Sequence, residues 1–278
     1  MTTTMYPAST ALARRFVVPA ILAALALASA CARAQKSDDE LAKATQNPIA
    51  AMVSVPIQYN YDQKIGRVED GHKNYVNFQP VVPFSLNPDW NLISRTILPV
   101  VDQSEIFPGA GSQSGLGDVT ESLFFSPKKE TSRGWIWGAG PVFLVPTGSN
   151  DLIGAKKWGL GPTAVFLKQE HGFTYGALVN HISSVGGSGK VDISNTFLQP
   201  FFSYTNKNHT TFSVNSESTY NWKTDQWSVP IHLLVSQLMK VGGQPLTLQA
   251  GARYWATTPD NGPHGWGARL TLTLLYPK

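Results

Sequence analysis

The sequence predicts an all-β protein, a transmembrane antiparallel β-barrel of about 12 strands with a short N-terminal helix after a signal peptide, and three observations carry that reading. From position 51 onward, apolar and polar residues alternate with period two in segments that recur roughly every twenty residues. Successive strand side chains point to opposite faces, so each segment has one apolar wall and one polar or small wall. No apolar run reaches the ~20 residues of a membrane-crossing helix, which excludes a helical membrane protein. The connectors alternate in length, with tight turns on one side and longer loops on the other, as in outer-membrane barrels.

The chain opens on export signals. Arg14-Arg15 form a basic region, residues 16–30 an apolar stretch, and Ala32-Arg33-Ala34 a small-x-small site, so residues 1–34 read as a signal peptide cleaved between Ala34 and Gln35. Cys31, the single cysteine, lies inside this signal. A second reading makes Cys31 a lipid-modified N-terminus, although Ala28 stands where a lipoprotein box prefers Leu. After ordinary cleavage the mature chain holds no cysteine, so neither disulfides nor thiol chemistry are expected. Losing Arg14, Arg15 and Arg33 also takes the 22 basic residues to 19 against 18 acidic ones. That balance leaves no electrostatic case for nucleic acid.

Residues 37–46 form the one convincing helical piece. Ser37 followed three residues later by Glu40 is a capping box, and Asn47-Pro48 ends the helix. So short a helix is marginal alone and must pack on something, the periplasmic rim or the lumen. Residues 35–50 are therefore read as a periplasmic or plug-like segment and 51–278 as the barrel. Strands are expected near 51–61, 73–84, 90–101, 116–126, 135–146, 158–169, 173–184, 193–205, 211–221, 227–240, 244–256 and 266–276. Short connectors include 85–89, 169–172, 205–209 and 241–243, and longer ones 62–72, 102–115, 147–157, 185–192 and 257–265; two break the pattern, 223–226 being brief on the long-loop side and 128–134 long on the short-turn side. An even strand number puts both termini on the short-turn, periplasmic side.

The clearest hairpin is the last. Leu246, Leu248, Ala250, Ala252 and Tyr254 form one row against Thr247, Gln249, Gly251, Arg253 and Trp255; Trp266, Ala268, Leu270, Leu272, Leu274 and Tyr276 form another against Gly267, Arg269, Thr271 and Thr273. Trp266 and Tyr276 close the apolar row at both ends of the final strand, about the 25 Å of an outer-membrane apolar band apart. Val53, Val55, Ile57, Tyr59 and Tyr61 face outward in the first strand, Val76, Phe78, Pro80 and Val82 in the second, and Phe212, Val214 and Tyr220 in the ninth. The alternation places Gln58, Asn60, Asn77, Gln79, Arg95, Asp118, Asn215, Glu217, His232, Gln249, Arg253 and Arg269 inside, as candidate lumen-lining residues. Glu121 falls on the outward row of Val119, Leu123 and Phe125, where a carboxylate facing hydrocarbon costs a few kcal/mol. Either it sits near an interface or the register shifts there.

Several runs also carry a resemblance. They are Asp39-Glu40-Leu41-Ala42-Lys43, Asn47-Pro48-Ile49-Ala50, the stretch 53–61, Trp90-Asn91-Leu92-Ile93-Ser94-Arg95, Gly115-Leu116-Gly117-Asp118, Gly138-Ala139-Gly140-Pro141, Pro146-Thr147-Gly148, Trp158-Gly159-Leu160-Gly161-Pro162, Gln199-Pro200-Phe201, and the closing Leu274-Leu275-Tyr276-Pro277-Lys278. Together they resemble a bacterial outer-membrane family filed under a MetA pathway of phenol degradation, under "transporter", or, misleadingly, under "neuromedin U". The resemblance spans nearly the whole mature chain. It implies a Gram-negative outer-membrane barrel passing small, often aromatic, compounds, and it brings no catalytic residues. The expected partners are outer-membrane lipids, the barrel-assembly machinery and a small-molecule solute. Barrel insertion signals usually end on an aromatic residue, whereas here Pro277-Lys278 follow Tyr276.

The reading is thus a channel or transporter for small, uncharged or weakly polar solutes, with no enzyme activity, cofactor or metal expected. A non-transporting barrel that binds through its loops is the alternative, with the helix and the bulk of Phe197, Phe201 and Trp255 closing the lumen. A third reading takes His181 and Ser183, at i and i+2 on one outward row, as the base and nucleophile of an outer-membrane lipid hydrolase; the sequence shows nothing to orient the imidazole. The glycines at 109–111 and 186–189 lack the strand, helix and lysine of a phosphate cradle. The six histidines show no metal spacing.

Overall fold

The computed structural model describes residues 37–277. The expected signal peptide, its Ala34/Gln35 cleavage point and Cys31 lie outside the described residues. One helix, α1 (Asp38–Thr45), precedes the strands β1 (Val53–Ile65), β2 (Gly71–Phe78), β3 (Val81–Ser85), β4 (Trp90–Ser104), β5 (Ser112–Leu116), β6 (Val119–Pro127), β7 (Trp135–Val145) and β8 (Lys157–Glu170). There follow β9 (Phe173–Gly187), β10 (Ser194–Thr205), β11 (Thr210–Ser216), β12 (Ser218–Asn221), β13 (Gln226–Val241), β14 (Gln244–Thr257) and β15 (Gly265–Tyr276).

These strands build a closed antiparallel barrel of twelve staves, because β2 with β3, β5 with β6, and β11 with β12 each continue one stave. Each stave pairs with the next in sequence, and the ladder from Val53↔Tyr276 to Tyr61↔Ala268 joins the first to the last. Closure leaves no unpaired edge. Tight turns need positive φ where primed geometry joins twisted strands, and His171 with Gly172 (φ 51° and 81°) and Gly242 with Gly243 (φ 56° and 84°) supply it.

The expected faces hold. Leu248, Leu270, Phe212, Leu233 and Val235 lie exposed on the outside, while Arg253, Arg269, Asn60 and His232 are buried inside. Aromatic residues form two outward clusters. Trp90 with Trp137, Trp135 with Tyr175, and Phe173 with Tyr204 pack beside the short turns; Tyr220 with Trp222 and Trp227, and Tyr254 with Trp266, pack beside the long loops. Glu121 does face outward, so the register is regular there, and the carboxylate is satisfied locally: Ser94 Oγ and Thr96 Oγ1, on the neighbouring β4, both donate to it.

Inside, the barrel is filled at its short-turn end. Leu41, Ala42, Ala50 and Met52 pack on Leu238 and Leu275, and Ile49 packs with Val81, Ile93, Phe124, Val165, Leu167 and Leu178. The capping box of α1 is present, with Glu40 N–H donating to Ser37 Oγ and Ser37 N–H to Glu40 Oε2. Lys240 Nζ reaches Asp38 at 2.6 Å, His209 Nε2 lies 2.8 Å from Asp39, and Gln169 donates to the Lys43 carbonyl. The segment that the sequence left between rim and lumen is thus docked within the barrel end, by apolar burial below and polar ties at its margin.

Candidate functional site: the barrel interior

Two cavities occupy the interior. The larger, about 510 Å³, lies toward the long loops and mixes Ile97, Leu144, Ile182 and Phe197 with Asn77, Thr120, Asn180 and Asn195. The smaller, about 210 Å³, is bounded by the end of α1 and the turn Thr45-Gln46-Asn47-Pro48, and by Ser54, Asn215, Gln249 and Arg269. Gln58, Gln79, Arg95, Gln199 and Glu217 line both. These five side chains, from five different staves, form a polar ring at the junction of the chambers. Arg95 Nη2 donates to Gln79 Oε1 on the neighbouring stave at 3.2 Å.

Three staves break where such residues stand. The gap between β2 and β3 contains Gln79, that between β5 and β6 contains Asp118, and that between β11 and β12 is Glu217 itself. Pro80 cannot donate to the ladder and helps end β2. A ladder interruption lets a strand bend and re-aim a side chain, a recurrent device beside functional sites.

Beside the ring runs a charged network. Arg269 Nη1 and Nη2 donate to the two Glu217 oxygens at 2.7 Å each, and its Nε donates to Asn60 Oδ1 at 2.8 Å. Such a bidentate pair fixes geometry as well as charge. Arg253 pairs with Asp62 and donates to Tyr75 Oη at 2.7 Å; Trp255 Nε1 also donates to Asp62, at 2.8 Å. His232 is fully buried, with Nε2 3.8 Å from Glu217.

Of the twelve residues that alternation placed inside, Gln58, Asn77, Gln79, Arg95, Asp118, Asn215, Glu217, Gln249 and Arg269 line a cavity. Asn60, His232 and Arg253 line neither; they are packed in the wall's inner face as supports of the network. Asp118 is engaged as a tether, since its carboxylate accepts from Gly148 N–H at 2.9 Å and Ala155 N–H at 2.6 Å. This holds the loop after β7 against the upper chamber, where Ile153 and Ala155 join the lining. Sequence reasoning missed Asp62, placing it in a loop, because β1 runs on to Ile65 and pairs Asp62 with Lys73. Its signal was available: Asp62 continues the inward row of Gln58 and Asn60. Among the described residues, no group of three or more His, Cys, Asp or Glu could hold a metal ion.

A family model described as "Putative MetA-pathway of phenol degradation" matches residues 58–258, most of the chain. The chain belongs to that family. The match agrees with the resemblance carried by the sequence runs, and it takes in the ring and most of the charged network. Among solved structures, an outer membrane channel from Pseudomonas putida F1 is similar at a TM-score of 0.62 and 15% identity, over 81% of this chain and 96% of that one. Outer membrane phospholipase A from Escherichia coli is similar at a TM-score of 0.45 and 12% identity, over 81% and 92%. The β domain of the Bordetella autotransporter BrkA is similar at 0.44 and 10%, over 82% and 100%. No curated protein matches.

Proposed function

We propose that this protein is an outer-membrane channel for small, uncharged or weakly polar solutes, aromatic ones included, reached after export removes residues 1–34. The observation that carries the reading is the pair of interior cavities joined through the ring of Gln58, Gln79, Arg95, Gln199 and Glu217. The upper chamber offers apolar surface beside amide and hydroxyl groups, which suits a solute with a flat apolar body and one or two polar atoms. Charges in the interior are mostly paired, Arg269 with Glu217 and Arg253 with Asp62, so little net field remains to favour ions. Family membership and the likeness to an outer membrane channel support the same reading.

The docked segment supports a second reading, a barrel closed by its own N-terminus that works as a scaffold or through its loops. Liposome swelling with neutral and charged solutes of matched size separates the two. A channel of the proposed kind admits small neutral solutes faster than charged ones. Swelling that favours charged solutes overturns the solute class, and liposomes that admit no solute at all support the scaffold.

A further inference from the structure

One polar cluster lies on the outer wall, away from the lumen. His181 and Ser183 stand on the outward row of β9 that begins with Phe173, Tyr175, Ala177 and Val179. Ser183 Oγ is 3.0 Å from His181 Nε2. Thr196, paired with His181 across the ladder on β10, places its Oγ1 2.9 Å from His181 Nδ1. Trp222 Nε1 donates to the same Thr196 oxygen at 2.8 Å and fixes it from the other side. With Thr196 Oγ1 accepting from Nδ1–H as well, Nε2 presents its lone pair to the Ser183 hydroxyl. That is nucleophile, base and orienting group in hydrogen-bonded order.

A second observation supplies the place for a substrate. Next to His181 the wall carries a furrow of about 290 Å³ lined by Ala139, Pro162, Ala164 and Val179, small side chains between the exposed Leu160 and Phe166. Ser183 is ten residues along β9 from Phe173 in the short-turn aromatic cluster, a rise of roughly 25 Å for a tilted strand, which brings it to the opposite membrane interface beside Trp222. There an acyl chain can lie in the furrow with its ester carbonyl level with Ser183.

We propose that Ser183 and His181, with Thr196 as positioning residue, form a serine acyl-hydrolase site on the lipid-facing wall, acting on an ester-linked acyl chain of an outer-leaflet lipid seated in this furrow. The proposal rests on the membrane placement of the barrel and is independent of whether the lumen conducts. Ser183 Oγ attacks the ester carbonyl carbon while its proton passes to His181 Nε2. The adduct collapses with cleavage of the ester C–O bond, and the leaving alcohol takes that proton. Water, deprotonated by the same nitrogen, then cleaves the acyl-serine, releasing the fatty acid and restoring Ser183. Thr196 is uncharged and stabilises the imidazolium less than a carboxylate does, so turnover is slow and covalent labelling is the sharper readout.

The test uses the full-length protein, purified from outer membrane, in mixed micelles holding lipopolysaccharide or phosphatidylethanolamine. A fluorophosphonate probe is expected to label Ser183, located by peptide mass spectrometry, and fatty acid is released from at least one lipid. Ser183→Ala abolishes both; His181→Ala slows labelling by about 100-fold, within the range for loss of a general base. Thr196→Val slows labelling by about tenfold and Thr196→Ser restores it, a rescue that a purely structural role does not give. Ala164→Phe fills the furrow and suppresses fatty-acid release while leaving labelling by the small probe. Gel mobility before and after boiling confirms that each variant is folded. Absence of label on Ser183 in the folded wild-type protein overturns the site, and labelling without fatty-acid release from either lipid overturns the substrate class.

Discussion

Arg95, Arg253 and Arg269 share a residue type and an interior wall, yet their surroundings give them three different tasks. Arg269 neutralises Glu217 through two bonds and holds Asn60, so its removal leaves a poorly solvated carboxylate in the ring. Breaking such a pair costs about 3 kcal/mol. Arg269→Ala should lower the unfolding midpoint in detergent and shift ion preference toward cations. Arg253 lies against Tyr75 and Asp62 and lines neither cavity, so Arg253→Ala should destabilise while leaving conductance close to wild type. Arg95 has one side-chain bond, to Gln79, and lines both chambers. Arg95→Ala is expected to widen the junction and raise conductance with little change in stability. Planar-bilayer recordings together with denaturant midpoints check all three, and an Arg253→Ala effect on conductance as large as that of Arg95→Ala would contradict these placements.

Element-scale behaviour centres on α1. Its own helical stability is small, so it stays docked through Leu41 and Ala42 and through ties such as Asp38 to Lys240. The hydrogen bond from Lys240 holds the Asp38 carboxyl below its ordinary range. A depressed carboxylate stabilises the docked state above its free value near pH ~4, and that contribution is lost as pH falls through the lowered value. Conductance should therefore rise as pH drops below about 4, where docking weakens. Asp38→Asn should raise conductance already at neutral pH and flatten the acid response; a pH titration of both proteins in bilayers checks this. Leu41 carries the larger share. Leu41→Ala removes a fully buried side chain at a cost of about 2–4 kcal/mol and should raise conductance at every pH.

For the whole molecule, closure is the property that matters most. The β1–β15 ladder satisfies the backbone of both terminal staves, and no helix among the described residues is long and apolar enough to cross a membrane. A barrel with every backbone group paired within its own wall resists detergent until heated. Unboiled protein should migrate faster than boiled protein on denaturing gels. Weakening the seam by Leu270→Pro, which removes an N–H from β15, should lower the temperature at which the fast form disappears. Equal mobility with and without boiling would count against closure.

The sequence by itself determined the all-β class, the twelve staves, the inward and outward rows and the capping box of α1, because these depend on local alternation and on neighbours within a few residues. It also carried the family, through short runs scattered along the chain. Glu121 shows the limit of that reading. Its outward position was legible, but the hydroxyls of Ser94 and Thr96 that satisfy it come from a stave 25 residues or more away. Partners on other staves likewise meet Asp62 (Arg253), Glu217 (Arg269) and, only 15 residues along the chain, His181 (Thr196). Alternation says which way a side chain points and is silent on what it meets, since partners across a closed wall are set by stagger and by where staves break. Only the tertiary structure decided that α1 lies inside the barrel end, that nine of the twelve inward residues line a cavity, and that four of them share with Gln199 a ring between two chambers.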